Sequence, residues 1–345
     1  MRGRDSFYEG LRRGVGAWKR VRVLVLGDMI LDEFVLGRTD RVSREAPVVI
    51  VRYDATTYSP GGAANAAQNV AALGGRALPV SVIGADSGGA TLRSLLEERG
   101  MSARCLVAVR GIPTTVKTRV MAGDFHSQRQ QIVRIDRERE GPIGRRAAER
   151  IRSMCEREIP RSDAVLLSDY HQGLFSPDII RTAVGLSRRA GVPVVVDSRY
   201  QLTRFKGVTT ATPNEVEAAA AAVIPLGGDA ALERIGRSLL ERLAARSVLV
   251  TRGRFGMRLF ERGRRSVSVD VVGSREATDV TGAGDTVAAA VALSLGAGLD
   301  LRAAMHLANI AASIVVMKRG TAVASAAELL ERIDELAGGG GRAEG

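Results

Sequence analysis

An α/β domain with a mostly parallel central sheet, covered by helices on both faces and carrying a small β lid, follows from three observations. Short uninterrupted apolar runs recur along the chain, stretches of helical periodicity lie between them, and two early β-rich segments break the alternation. Strands buried on both faces read as continuous apolar runs, and strands alternating with helices build a parallel sheet.

In chain order, residues 1–19 read as a basic leader, partly helical or disordered. Val21 to Leu26 is the first buried strand and ends in Gly27-Asp28. Further strands are expected at Leu78–Ile83, Ala164–Leu167, Val192–Val196 and Ser247–Val250. Helical patterns cover Ala63–Leu73, Gly89–Arg99, Ile143–Glu158, Pro177–Arg189, Glu215–Val223 and Ala230–Leu243. The segments 35–58 and 114–136 lack helical periodicity and are expected to pair into a small sheet beside the main one, as a lid. Thr286 to Leu301 is an Ala-rich buried helix. One domain over 20–337 and a disordered, low-complexity tail over 338–345 complete the expectation.

With 345 residues the chain suffices for one large α/β domain or two smaller ones. Aromatics make up only 4%, so the core must rest on Val, Leu, Ile and Ala. The net charge of +12 is carried almost wholly by arginine, since only Lys19, Lys117, Lys206 and Lys318 are lysines. The arginines are spread along the chain rather than gathered with aromatics into one face, which argues against nucleic-acid binding and suits anionic small substrates. Cys105 and Cys155 form no disulfide framework or metal spacing, and fit a reducing cytoplasm. No signal-peptide pattern is visible, and no uncharged apolar run reaches the roughly 18 residues of a membrane span, so no membrane partner is expected.

Asp279-Val280-Thr281-Gly282-Ala283-Gly284-Asp285, running straight into the Ala-rich helix, is the most informative stretch. Its glycines allow a tight turn and close approach to a ligand. The helix start directs unpaired N–H groups and partial positive charge at the turn, making an anion pocket. A carboxylate beside that pocket repels phosphate as a binder but serves as a base for an attacking hydroxyl, the pairing that phosphoryl transfer needs. A glycine turn followed by an Asp-capped helix accounts for the same residues.

Other candidates stand at expected strand ends, where open parallel sheets gather ligands. Asp28 and Asp32 follow the first strand and suit sugar hydroxyls, or cap a loop. Gly61-Gly62 opens the first long helix with Asn65 one turn in, for a small polar ligand or simply a helix start. Asn214 and Glu217 share a helix face and suit water-mediated Mg²⁺ contact, or a capping box. Thr251 and Gly253 form a Gly-containing turn suited to nucleotide phosphate. There is no G-x-x-x-x-G-K-[ST], no H-R-D loop, and the G-x-G at 282–284 lacks its third glycine.

Taken together, Gly61-Gly62-x-x-Asn65 and Asp279-x-Thr281-Gly282-Ala283-Gly284-Asp285 resemble the signature pair of the ribokinase-like (PfkB) carbohydrate kinases, over about residues 20–335. The resemblance implies a ribokinase-like α/β/α sandwich and an ATP- and Mg²⁺-dependent sugar kinase, with a monovalent cation such as K⁺ as a further candidate. It implies Asp285 as base and the Gly282, Ala283 and Gly284 amides as anion hole. Asn214 and Glu217 match its N-x-x-E motif for Mg²⁺. Asp28, Gly61, Gly62 and Asn65 match sugar contacts, and Thr251, Gly253, Thr281 and Asn309 match the nucleotide side.

Narrower blocks resemble the heptose 7-phosphate kinase branch, including the kinase half of bifunctional heptose kinase/adenylyltransferases. They are Gly27-Asp28-Met29-Ile30-Leu31-Asp32, Arg41-Val42-Ser43-Arg44-Glu45-Ala46-Pro47-Val48, Lys117-Thr118-Arg119, Gln130-Gln131-x-x-Arg134-x-Asp136 and Leu167-Ser168-Asp169-Tyr170. That likeness implies phosphorylation of the anomeric hydroxyl of D-glycero-D-manno-heptose 7-phosphate. It adds Asp32, Arg44, Glu45, Lys117, Arg119 and Asp169 as substrate contacts, with Arg199 as a further phosphate contact, and a homodimer through the lid. Three departures stand out. Gln172 occupies the place of a Lys in that branch, Asp124–Gln128 reads as a lid insertion, and the nucleotidyltransferase half is missing, so a separate protein is expected to supply that step. Gln172 keeps open a kinase for another sugar or sugar phosphate. The non-enzymatic rival is a basic nucleic-acid-binding protein that kept the fold.

Overall fold

The computed structural model describes residues 2–123, 129–273, 278–318 and 320–338. The chain begins with helix α1 (Arg2–Trp18), strand β1 (Arg22–Gly27), β2 (Met29–Val42), β3 (Val49–Gly62), α2 (Ala63–Ala72), β4 (Arg76–Gly84), α3 (Ser87–Glu98) and β5 (Leu106–Val109). Next come β6 (Thr115–Gly123), β7 (Gln130–Arg137), α4 (Arg145–Glu158), β8 (Ala164–Asp169), α5 (Pro177–Ala190), β9 (Val194–Ser198), β10 (Thr210–Ala211) and α6 (Glu215–Ala222). The last third carries α7 (Gly228–Arg242), β11 (Ser247–Thr251), β12 (Met257–Glu261), β13 (Val267–Val269), α8 (Ala283–Gly296), α9 (Leu301–Val315) and α10 (Ala326–Gly338).

The main sheet runs β13-β12-β11-β10-β9-β8-β1-β4-β5. It is parallel except at one edge, where β12 pairs antiparallel with both β11 and β13. Side chains alternate across a strand, so β1 feeds two cores at once. Val23 and Val25 pack with α1, α2, α3, α8, α9 and α10, whereas Leu24 and Leu26 pack with α4, α5, α6 and α7. The expected α/β/α layering is therefore present.

Strand β9 starts at Val194, two residues later than expected, because Pro193 lacks the N–H a ladder needs. Helix α3 starts at Ser87, earlier than expected, because the Asp86 carboxylate accepts from the Gly89 N–H as its cap. The edge strands β5, β12 and β13 and the helix α10 add to the expected elements.

The β-rich segments form a second sheet, β3-β2-β6-β7, whose outer pairs are antiparallel and whose central pair is parallel. Its first hairpin is longer than the expected 35–58. Pairing starts at Met29 opposite Gly62, because Met29, Ile30 and Leu31 are buried where the hairpin leaves the core. The expected insertion at Asp124–Gln128 lies outside the described residues, as does all of the expected tail beyond Gly338.

Of the expected basic leader, partly helical or disordered, the helical alternative holds, but the segment is part of the domain's core. Helix α1 is docked on the domain, with Leu11, Val15 and Trp18 buried in the core shared with α8, α9 and α10. Those residues fall at i, i+4 and i+7, one face of a helix. Arg12 adds an ion pair to Asp334 of α10 at 2.5 Å. Among the described residues no helix is long and apolar enough to cross a membrane.

Candidate active site

A cleft of about 780 Å³ opens at the carboxyl ends of β9 and β11, between the first turn of α8 and the inner face of the lid sheet. Its size falls in the range of small-molecule sites, and its place is where parallel sheets bind ligands.

The first turn of α8 forms one wall. Gly282 precedes the helix at φ 81, in the left-handed region open chiefly to glycine, and a Cβ there would stand 2.8 Å from Asn65 Nδ2. Asp279 holds the approach to this turn, accepting from the Thr281 N–H and the Gly320 N–H, each at 2.9 Å. Gly282, Ala283 and Gly284 all line the cleft. The helix has no side-chain cap, so the Asp-capped alternative fails. The Asp285 carboxylate turns into the cleft instead. Its Oδ2 accepts from Asn65 Nδ2 at 2.7 Å and its Oδ1 from the Tyr170 hydroxyl at 2.9 Å. Burial pushes its carboxyl up to about 6, against the pull of those donors and of Arg199.

Opposite stands the start of α6. The Asn214 N–H donates to Glu217 Oε2 at 3.0 Å and the Glu217 N–H to Asn214 Oδ1 at 2.9 Å, a complete capping box. Both residues line the cleft as well, so the structural and the chemical readings hold together. Beside them is Asp197, at the carboxyl end of β9, which sequence reasoning missed. Burial, then the charges of Asp285 and Glu217, hold Asp197 well above the usual carboxylate range. Burial raises Glu217 too. Among the described residues no three His, Cys, Asp or Glu side chains sit close enough to cage a metal directly. The crowded acids and the absence of a cage fit a cation that keeps its own water, as Mg²⁺ does.

Thr251 and Gly253 line the same side, with the Thr251 N–H tied to the Pro213 carbonyl at 3.0 Å. Thr281 and Asn309 line it also, beside apolar Val271, Ala312 and Val316. Asn309 is fixed by donating to the Asp270 carbonyl at 2.7 Å.

The lid supplies a polar wall of Lys117, Arg119, Gln131 and Arg134. Asp32 also lines the cleft and pairs with Arg119 at 2.7 Å. Lys117 pairs with Glu138 at 3.3 Å, and Arg134 with Asp136 at 2.8 Å. Gly62 lines the cleft at φ 56.

Six expected sugar contacts are placed otherwise. Asp28 is buried, and its Oδ2 accepts from the Tyr170 N–H at 3.0 Å and the Gln172 N–H at 3.1 Å, so it shapes the turn after β8. Asp169 accepts from the His171 N–H at 3.0 Å and the Ser198 hydroxyl at 2.7 Å, holding the same turn. Gly61 is bare for Asp32, since a Cβ there would stand 2.6 Å from Asp32 Oδ2. Arg44 and Glu45 are exposed at the tip between β2 and β3, outside the cleft-lining set. Asn65 is buried and spends its amide on Asp285. Gln172 is buried in the turn, where its carbonyl accepts from Arg139, whose guanidinium also lies 3.9 Å from Asp28.

Residues 22–328 match the family described as pfkB family carbohydrate kinase. The chain is 40% identical over 315 residues to the bifunctional protein HldE of Gluconacetobacter diazotrophicus, covering 91% of this chain and 64% of that protein. It is 41% identical over 310 residues to the bifunctional protein HldE of Caulobacter vibrioides, covering 89% of this chain and 62% of that protein. The chain thus spans less than two thirds of the length of these relatives. Among solved structures, the Arabidopsis thaliana ribokinase complexed with ribose and ATP superposes with a TM-score of 0.69 at 20% identity, over 91% of this chain and 98% of that one. Escherichia coli phosphofructokinase-2 in complex with fructose-6-phosphate gives 0.73 at 18% identity, over 92% and 99%. At such identities these structures bear on the fold alone, and they share the ribokinase-like architecture described above.

Proposed function

The chain belongs to the pfkB family of carbohydrate kinases, phosphotransferases acting on a sugar hydroxyl, and within it we propose that it transfers the γ-phosphoryl group of ATP to the anomeric hydroxyl of D-glycero-D-manno-heptose 7-phosphate. The observation that carries the reading is the seat of Asp285, a buried carboxylate held in the cleft one turn inside the Gly282–Gly284 helix start. In this reading the acceptor oxygen attacks the γ-phosphorus as its proton passes to Asp285. The new O–P bond forms as the bond from that phosphorus to the bridging oxygen breaks, and ADP leaves. The first-turn amides of α8 face the transferred group and hold its charge. Thr251, Gly253, Thr281 and Asn309 are assigned to the nucleotide. A monovalent cation such as K⁺ is a further candidate cofactor.

Mg²⁺, when bound, neutralises the phosphate oxygens during transfer. Asp197, Asn214 and Glu217 are assigned to hold it through its waters. Replacing Asp197 by Asn is expected to raise the Mg²⁺ concentration for half-maximal turnover by about 10–100-fold, since partners that hold a metal's outer shell are worth that much. A magnesium titration of both proteins checks this, and superposable curves would remove Asp197 from the role.

The sugar assignment rests on the S-x-E-A-P and Q-Q-x-x-R-x-D blocks, supported by the HldE relatives. Arg119 and Arg134 of the lid wall suit a substrate that already bears phosphate. The other-sugar reading rested on Gln172. Arg139 brings a guanidinium to that same turn but lies outside the cleft lining, so it does not replace the lost cation there and the other-sugar reading stands beside the first. We further propose a homodimer through the lid, whose exposed Val49, Tyr53, Val133 and Ile135 offer apolar surface.

A further inference from the structure

The two oxygens of Asp285 are held by unlike groups. Asn65 is locked within α2, where Asn69 Nδ2 donates to its carbonyl at 2.9 Å, and the Thr286 hydroxyl in turn donates to Asn69 Oδ1 at 2.6 Å. Tyr170 stands on the turn after β8 and lines the cleft. Its N–H is tied to Asp28, its ring lies under the Arg199 guanidinium at 4.9 Å, and its hydroxyl donates to Asp285 Oδ1 at 2.9 Å. We propose that Tyr170 is a positioning residue for the transfer reaction, its phenolic O–H fixing the plane of the Asp285 carboxylate together with Asn65 and favouring the form that accepts the sugar proton. The proposal rests on the reading of Asp285 as the base.

A carboxylate with donors on both oxygens cannot swing about its last bond without breaking one of them. A donor to the ionised form also favours that form. The neighbours of Asp285 make this contribution matter. Asn65 of α2 is neutral, Asp32 of β2 is a like charge already paired with Arg119, Asp197 of β9 is an acid that the charge of Asp285 itself pushes toward its neutral form, and Arg199 after β9 is the cation. Burial has brought Asp285 up to about 6, so a small change moves its titration into the working range. Burial and the charge of Asp285 push the Tyr170 phenol well above its ordinary value, so it remains a donor throughout.

The test is Tyr170→Phe, which keeps the ring beneath Arg199. Loss of the donor raises the folded carboxyl further. The acid limb of kcat/KM against pH is therefore expected to move upward by about one unit, with ATP affinity unchanged. The loss is then about tenfold greater at pH 5 than at pH 8.5. Placing 3-fluorotyrosine at position 170, a stronger donor, moves the limb the other way, and serves if the phenylalanine variant folds poorly. A limb at the wild-type position, with activity either unchanged or lowered evenly at every pH, overturns the role of Tyr170. A wild-type protein that transfers phosphate to no sugar overturns the base reading itself, so the two failures are told apart.

Discussion

Asp285→Asn is expected to lower turnover by about 10²–10⁴-fold, the usual contribution of a positioned general base, while leaving ATP affinity nearly unchanged. The variant is close to isosteric. Its amide oxygen accepts from Asn65 and its NH₂ meets the Tyr170 oxygen, which is able to accept, so the cleft keeps its shape. What it loses is the capacity to take a proton. The residues assigned to the nucleotide, Thr251, Gly253 and Asn309, are held by other partners, so binding stays. Single-turnover kinetics with nucleotide affinity measured alongside separates the two terms. Near-normal turnover would remove the assigned role, and a parallel loss of ATP affinity would point to a structural one.

The second large effect concerns stability. Trp18→Ala is expected to destabilise the fold by about 3–5 kcal/mol, the range for emptying a buried indole site. Trp18 is among the largest fully buried side chains, on a helix that also buries Leu11 and Val15 against the α8–α10 layer. Against a total stability of about 5–15 kcal/mol, that loss is severe. Urea denaturation of both proteins checks it. A loose leader would give no change in midpoint.

The contrast around Trp18 shows where sequence reading stops. Buried strands were legible because both faces of β1 and β8 meet apolar layers, leaving uninterrupted runs. The stripe Leu11, Val15, Trp18 is sparse and set among charges, and only the presence of α10 and α8 beneath it makes it a core face. The cleft shows the same limit. Asp28 and Asp197 each follow an apolar run, so they carry one and the same local signal. The fold turns Asp28 onto the N–H groups of 170 and 172 and leaves Asp197 in the cleft. That difference depends on the loop each strand meets, which lies far off in sequence. Asp285 was legible because its signal is local: a glycine turn, a helix start and an acid three residues on. Its partners Asn65 and Tyr170 come from positions 220 and 115 residues away. Tyr170 lay inside a noted block, yet nothing in that block told its function.

The most direct measurement is transfer from ATP to a panel of sugars with and without phosphate, followed by ³¹P NMR of the product. The account predicts that D-glycero-D-manno-heptose 7-phosphate is consumed with ADP release and gains a second phosphorus on the anomeric oxygen, while the unphosphorylated sugars turn over far more slowly. Preference for a free sugar, or phosphate arriving at any other hydroxyl, would contradict it.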